Sequence, residues 1–198
     1  MKLRLIRGID HPSQVLARTD PLDFGALPET VLAQTHRVFG DDVTPEQSVG
    51  RILQDVRCQG DEAVRRYAKL LDDADLEEFK VSAQQMDQAR TQVSEELRDS
   101  LELAARRVSE FHESVMPRDW VDRERGLAEL VRPLDRVGLY APGGTAAYPS
   151  TVLMTAIPAR VAGVGEIILV TPRRGREPLN PAVLTAAEIA GVDSVYQV

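Results

Sequence analysis

The 198-residue sequence has one cysteine, three histidines, no excess of positive charge and no long apolar run. Each shortage closes off a class of function. A lone cysteine, Cys58, permits no internal disulfide and no CxxC metal clip. Its setting, Asp-Val-Arg-Cys-Gln-Gly-Asp-Glu, is that of a helix end with few perturbing cations nearby, so Cys58 is read as a reduced structural thiol rather than a nucleophile. His11, His36 and His112 are far apart and none has HExxH spacing, which excludes a locally encoded zinc site. With 24 Lys+Arg against 31 Asp+Glu the net charge is -7, which argues against a phosphate-driven hold on nucleic acid. The opening MKLRLIRGIDHPS lacks a signal-peptide core and no stretch could span a bilayer, so no membrane partner and a cytoplasmic location are expected.

What is present is a chain 43% hydrophobic and 28% charged, long enough to bury a core. Residues 1–135 read as mainly helical with short strands. Thr44-Pro45-Glu46-Gln47 is a capping box with proline at the first helical position, and Val49, Ile52, Leu53 and Val56 then form an apolar face. Gly60 stops that helix and Asp61 can cap the next, where Val64, Tyr67, Ala68 and Leu71 repeat the spacing before Asp-Asp-Ala-Asp; the two helices make an antiparallel pair or a helix-turn-helix corner. Glu-Glu-Phe-Lys-Val-Ser suits an edge strand, and Ser82 to Gln85 is a second capping box. From Ser94 a long helix is predicted, with Leu97, Leu101, Ala104, Val108, Phe111 and Val115 along a narrow buried seam, ended by Met116-Pro117; His112 beside it is read as a packed or half-exposed residue. Trp120 anchors the crossing between segments or marks a contact with another chain. Leu127 to Pro142 then reads as two extended runs around a Pro-Leu-Asp-Arg turn.

From 136 to 198 strand and helix alternate: RVGLYAP, the helix STVLMTAIPARVAG, EIILVTP, the helix NPAVLTAAEIAG and SVYQV. That is βαβαβ, hence an α/β fold with a Rossmann-like parallel sheet and right-handed crossovers. Asn180, Pro181 and Gly191 punctuate the second helix. The interior Pro158 predicts a bent, buried first helix, and Gly-Val-Gly at Gly163 to Gly165 reads as its stop. Because the chain reaches Val198 on its third strand, the sheet is expected to be incomplete at the C-terminus.

Ligands in parallel α/β sheets bind beyond the carboxyl ends of strands. Two such ends are visible, Tyr140-Ala141-Pro142-Gly143-Gly144 and Thr171-Pro172. The two glycines allow close backbone approach, and Ser150 or Thr151 is expected to cap the helix that follows. The residues leave two readings open, a ligand loop and a tight turn; the loop is neither GxGxxG nor a Walker loop.

The run VGLYAPGGTAAYPSTVLMTAIPARVAGVGEIILVTP resembles the signature of histidinol dehydrogenases. GDEAVRRYAKLLDDADL, FHESVMPRDW and LNPAVLTAAEIAGV resemble the same family's N-terminal half, so the similarity runs from about Val49 to Val198. The resemblance implies a homodimeric, NAD- and zinc-dependent enzyme that oxidises L-histidinol to L-histidine through an aldehyde, with a Glu-His pair for acid–base chemistry. It implies that Tyr140 contacts NAD and that Pro142, Gly143 and Pro172 line the same cofactor edge. In the family a Gly-Gly-x-Gln stretch, the zinc ligands and the Glu-His pair come later than the residues matching Val198, and a glycine-rich stretch is more usual where this chain has GLAELVRPL. The expectation is therefore a chain with part of the cofactor wall, no catalytic residue and no metal ligand, inactive alone. The alternative is a non-catalytic nucleotide-binding or dimerisation module derived from that fold.

Overall fold

The computed structural model describes residues 29–40, 43–143 and 147–198. The chain forms two compact units, residues 1–50 and 51–198. In the first, α1 (Glu29–Phe39) ends at Gly40, whose φ of 98° suits glycine, and whose N–H donates to the His36 carbonyl at 3.0 Å. α2 (Pro45–Gln59) begins there with the anticipated capping box: Gln47 N–H donates to Thr44 Oγ1 at 3.2 Å, and Thr44 N–H to Gln47 Oε1 at 3.0 Å.

In the second unit α3 (Asp61–Asp72) follows α2 after Gly60. Gly60 itself is the N-cap, at φ 58°, and Asp61 is the first helical residue rather than the cap. Glycine serves because the turn demands a left-handed backbone, which an aspartate would enter only at a cost. Ala63 and Ala68 of α3 are buried and Val64, Tyr67 and Leu71 half-buried, as their spacing requires; on α2, Ile52 and Val56 are half-buried, but Leu53 is 66% exposed and, in the first unit, Val49 54%. The α2 apolar face is therefore narrower than its sequence pattern.

α4 (Ala83–Gln92) carries the second capping box, with Gln85 N–H donating to Ser82 Oγ at 3.2 Å. α5 (Glu95–Ser114) is the long helix, capped by Ser94. Its seam is buried at Leu101, with Ala104 and Val108 packed on the core, whereas Leu97, Phe111 and Val115 at its ends are exposed. His112 is half-buried, edge-on to Phe111 with ring centres 5.3 Å apart.

Two extended runs do lie on either side of the Pro-Leu-Asp-Arg segment, whose Arg136 already opens the second run, but they join different sheets. β1 (Trp120–Asp122) pairs antiparallel with β2 (Leu127–Glu129), while β3 (Arg136–Tyr140) lies in a parallel sheet of order β3-β4-β5 with β4 (Glu166–Thr171) and β5 (Ser194–Gln197). The hairpin turns at Arg123 to Gly126: Asp122 Oδ1 accepts from the Glu124 and Arg125 amides at 3.1 and 3.0 Å, and Gly126 takes φ 66°.

α6 (Pro149–Val161) and α7 (Pro181–Ile189) are the two crossovers. Along β4 the side chains alternate, so Ile167, Leu169 and Thr171 are buried and Glu166, Ile168 and Val170 half-buried. α6 and α7 bury Val152, Leu153, Ala156, Val183 and Leu184 in the same core as Ile167 and Leu169, with α5 packed on α6 and α4 on α7. Each fully buried aliphatic side chain there contributes about 1.5–3 kcal/mol. Tyr148 occupies the cap position of α6 and Pro149 its first turn, so the helix starts ahead of the expected caps Ser150 and Thr151. Proline's fixed φ favours the first helical position, which sets that start. The helix runs through Pro158 and stops at Gly163, φ 87°.

The outer edge of β5 is partly paired. The Glu-Glu-Phe-Lys-Val-Ser segment lies antiparallel beside it through a bridge between Lys80 and Tyr196, with Val81 N–H to Val195 O at 2.9 Å and Gln197 N–H to Phe79 O at 2.8 Å. This is the edge strand expected from sequence, reduced to one bridge.

Candidate functional site at the carboxyl ends of the parallel strands

β3 ends on Tyr140, whose side chain is 59% exposed. The chain then turns inward: Ala141 is fully buried and its N–H donates to the Val170 carbonyl at 3.0 Å. Pro142 is exposed and Gly143 half-buried; Gly144 lies outside the described residues. β4 ends on the buried Thr171, followed by Pro172. Backbone bonds from Arg173 N–H to Val198 O, 2.7 Å, and from Val198 N–H to Thr171 O, 3.2 Å, tie this second loop to the end of β5.

The two loops meet at Gly143 and Pro172. A Cβ on Gly143 would stand 3.0 Å from the Pro172 carbonyl oxygen and 3.3 Å from its Cγ, so only glycine fits without displacement. Pro172 thereby separates two hollows. The larger, about 470 Å³, is bounded by Gly143, Pro172, Arg173, Arg174, Asn180 and Pro181. It opens at the start of α7, where Asn180 Oδ1 accepts from the Ala182 amide at 2.9 Å. Arg173 is tied down by its donations to the Glu177 and Arg176 carbonyls, both at 3.1 Å. The smaller, about 240 Å³, is an apolar slot between Tyr140, Pro172 and Val198 on one side and Val64, Tyr67 and Leu71 of α3 on the other. Its size holds a single ring rather than a whole dinucleotide, since pockets for drug-sized ligands run from roughly 300 Å³.

Tyr67 is the residue that sequence spacing placed merely in a helix face. Its hydroxyl donates to Asp55 Oδ2 at 2.6 Å, and Arg66 Nη2 reaches the same oxygen at 2.6 Å while its guanidinium lies 5.0 Å from the Tyr67 ring centre. Burial first, and the Asp55 carboxylate second, push the Tyr67 phenol above its ordinary value. Asp55 and Tyr67 are twelve positions apart, so only the helix turn at Gly60 brings them together.

Of the four residues expected at a cofactor edge, Gly143 and Pro172 border the larger hollow, Tyr140 and Pro172 the smaller, and Pro142 neither of the two. The smaller hollow, beside Tyr140, is mainly apolar, and the larger one beyond Pro172 mixes apolar groups such as Leu179 and Val183 with the polar Arg173, Arg174 and Asn180. Among the described residues no group of three or more His, Cys, Asp or Glu is placed to hold a metal, so they do not fit zinc. Cys58 is exposed, accepting only from Gln54 Nε2 at 3.3 Å among the bonds seen. No described helix is long and apolar enough to cross a membrane.

Comparison with known proteins gives this geometry a family. The model for histidinol dehydrogenase matches residues 36–198. The chain is 44% identical over 196 residues to a histidinol dehydrogenase of Dehalococcoides mccartyi, with 98% of this chain and 44% of that protein covered. It is 43% identical over 179 residues to one from Lactiplantibacillus plantarum, covering 89% and 41%. The crystal structure of histidinol dehydrogenase from Elizabethkingia anophelis matches with a TM-score of 0.74 at 32% identity, over 79% of this chain and 37% of that one. The chain thus spans less than half the length of these relatives.

Proposed function

The chain belongs to the histidinol dehydrogenase family, and we propose that it forms the N-terminal part of an NAD- and zinc-dependent oxidoreductase that converts L-histidinol to L-histidine through an aldehyde, in histidine biosynthesis. Residues 136–198 would begin the Rossmann-like cofactor-binding domain and residues 1–135 the helical region before it. NAD, when bound, supplies a nicotinamide that accepts hydride.

This chain's own residues would bind and orient it. The exposed Tyr140 ring offers a flat apolar face to a ring of the cofactor. Pro142 holds the loop's φ at about -65° as it leaves the strand. Gly143, fitted against Pro172, keeps the two strand-end loops together as one wall. Pro172 is the observation that carries the reading, because it is the shared border of an apolar slot and a larger, partly polar hollow at the strand ends, where α/β sheets take their ligands. The zinc ligands and the acid–base pair belong, in this proposal, outside the described residues, and the assembled enzyme is a cytoplasmic homodimer without nucleic-acid or membrane partners.

Calorimetry with NAD tests it. Weak binding, with a dissociation constant above micromolar, is expected of one wall; submicromolar affinity would contradict a partial site. No histidinol-dependent NAD reduction is expected from the 198-residue chain even with added zinc, and turnover above a no-enzyme control would overturn that.

A further inference from the structure

Tyr67 holds a place on α3 that helical spacing alone would give equally to leucine, yet a half-buried phenol needs a partner for its hydroxyl. α2 supplies one. The hydroxyl donates to Asp55 Oδ2 at 2.6 Å, a charge-assisted bond that is shorter and stronger than one between neutral groups. Arg66 binds the same oxygen at 2.6 Å, donates to Gln59 Oε1 at 2.6 Å and lays its guanidinium over the Tyr67 ring. The ring is thus fixed in position by the fold itself.

That ring borders the apolar slot whose other side is formed by Tyr140 and Pro172. The two sides are joined: the Gly175 amide, three residues beyond Pro172, donates to the Asp72 carbonyl at the end of α3 at 3.0 Å, and Arg174 Nε stands 3.8 Å from the Asp72 carboxylate. The slot is therefore a built cleft of about 240 Å³, with a pinned aromatic ring on one side and an exposed one on the other, which suits a planar heteroaromatic ring. A wall residue that is already immobile loses little freedom when a ligand binds, and this lowers the cost of binding. We propose that Tyr67, held by Asp55, is a positioning residue: it sets the slot wall that faces Tyr140, and so the seat of the cofactor ring between them. The proposal rests on the cofactor reading above and adds the opposite wall to it.

Wild type, Tyr67→Phe, Asp55→Ala and Asp55→Asn, each checked for native circular dichroism, would be titrated with NAD by NMR. Tyr67→Phe keeps the ring and loses the bond; Asp55→Ala loses the acceptor, whereas Asp55→Asn keeps one in its amide oxygen. Tyr67→Phe and Asp55→Ala should raise the NAD dissociation constant about fivefold, and Asp55→Asn should hold it within about twofold of wild type. Adenosine monophosphate and nicotinamide mononucleotide, titrated separately, distinguish the two rings that NAD carries: the one that enters the slot weakens together with NAD, while the other is unchanged. A lower melting temperature with unchanged dissociation constants would make the bond a mere brace between Asp55 and α3, and overturns the proposal while leaving the cofactor reading intact. Equal losses for both mononucleotides would mean a general loosening of the fold and overturn it too. A wild-type chain that binds no NAD at millimolar concentration overturns the cofactor reading, and the proposal falls with it.

Discussion

Gly143 and Pro172 touch so closely that a single added methyl on the glycine would stand 3.0 Å from the proline's carbonyl oxygen. The obstacle is backbone on a loop tied to Val198, so it cannot swing aside as a flexible side chain would. The contact makes the two strand-end loops one surface, and the proposed cofactor wall depends on it.

Gly143→Ala should therefore force the loops apart by a few tenths of an ångström and cost about 1–3 kcal/mol, the usual penalty of overpacking. A lowered melting temperature together with weaker NAD binding is expected by calorimetry. An unchanged melting temperature would show that the loops yield freely and that they do not act as one wall.

Tyr140→Ala separates binding from stability. The ring is 59% exposed, so its loss should move the melting temperature little. Aromatic stacking on a base is worth about 1–3 kcal/mol, so in a complete homologous enzyme the Michaelis constant for NAD should rise about tenfold with kcat less affected. An unchanged constant would remove Tyr140 from the site.

Much of the fold was legible because its signals are local. Thr44 with Gln47, Ser82 with Gln85, and Asn180 before Pro181 are complete capping devices within a few residues, and each forms as written. The βαβαβ order follows equally from period and punctuation. What escaped depends on partners distant in sequence. Leu53 has helical spacing yet lies 66% exposed, since spacing names a face without naming what covers it. β2 chose β1 across a four-residue turn, a pairing that the proline-containing segment after it obscured. The Tyr67–Asp55 bond and the meeting of Gly143 with Pro172 are tertiary, and nothing in either stretch alone foretells them.

Asp193 ties a turn to the sheet and should give stability a pH signature. Its carboxylate accepts from the Ile167 amide and from Arg160 Nη2, both at 2.8 Å, and the Ile167 amide first, then Arg160, hold its pKa below the ordinary aspartate range. A group depressed in the folded state stabilises fully above its unfolded pKa, about 3.9, and loses that contribution as pH falls through its folded value. The stability gap between wild type and Asp193→Ala, read from urea unfolding, should thus be constant from pH 7 to about 5 and close below about 4. A gap that persists undiminished at the lowest pH would mean that packing, rather than the charge, supplies it.

Thr185 offers the opposite case, a buried polar group with no partner among the described residues. On α7 it is 2% exposed, and its Oγ1 has no hydrogen-bond partner among the described residues. A mid-helix threonine ordinarily returns a bond to the carbonyl one turn back, and without it the hydroxyl bears its desolvation cost unrelieved. Valine has the same shape and no hydroxyl, so Thr185→Val should be stabilising by about 1 kcal/mol, seen as a higher urea midpoint at unchanged slope. Thr185→Ala should be destabilising instead, because it also leaves a cavity in a helix buried on nearly every side. If valine proves as destabilising as alanine, the hydroxyl has a partner in solution and α7 sits differently on the sheet.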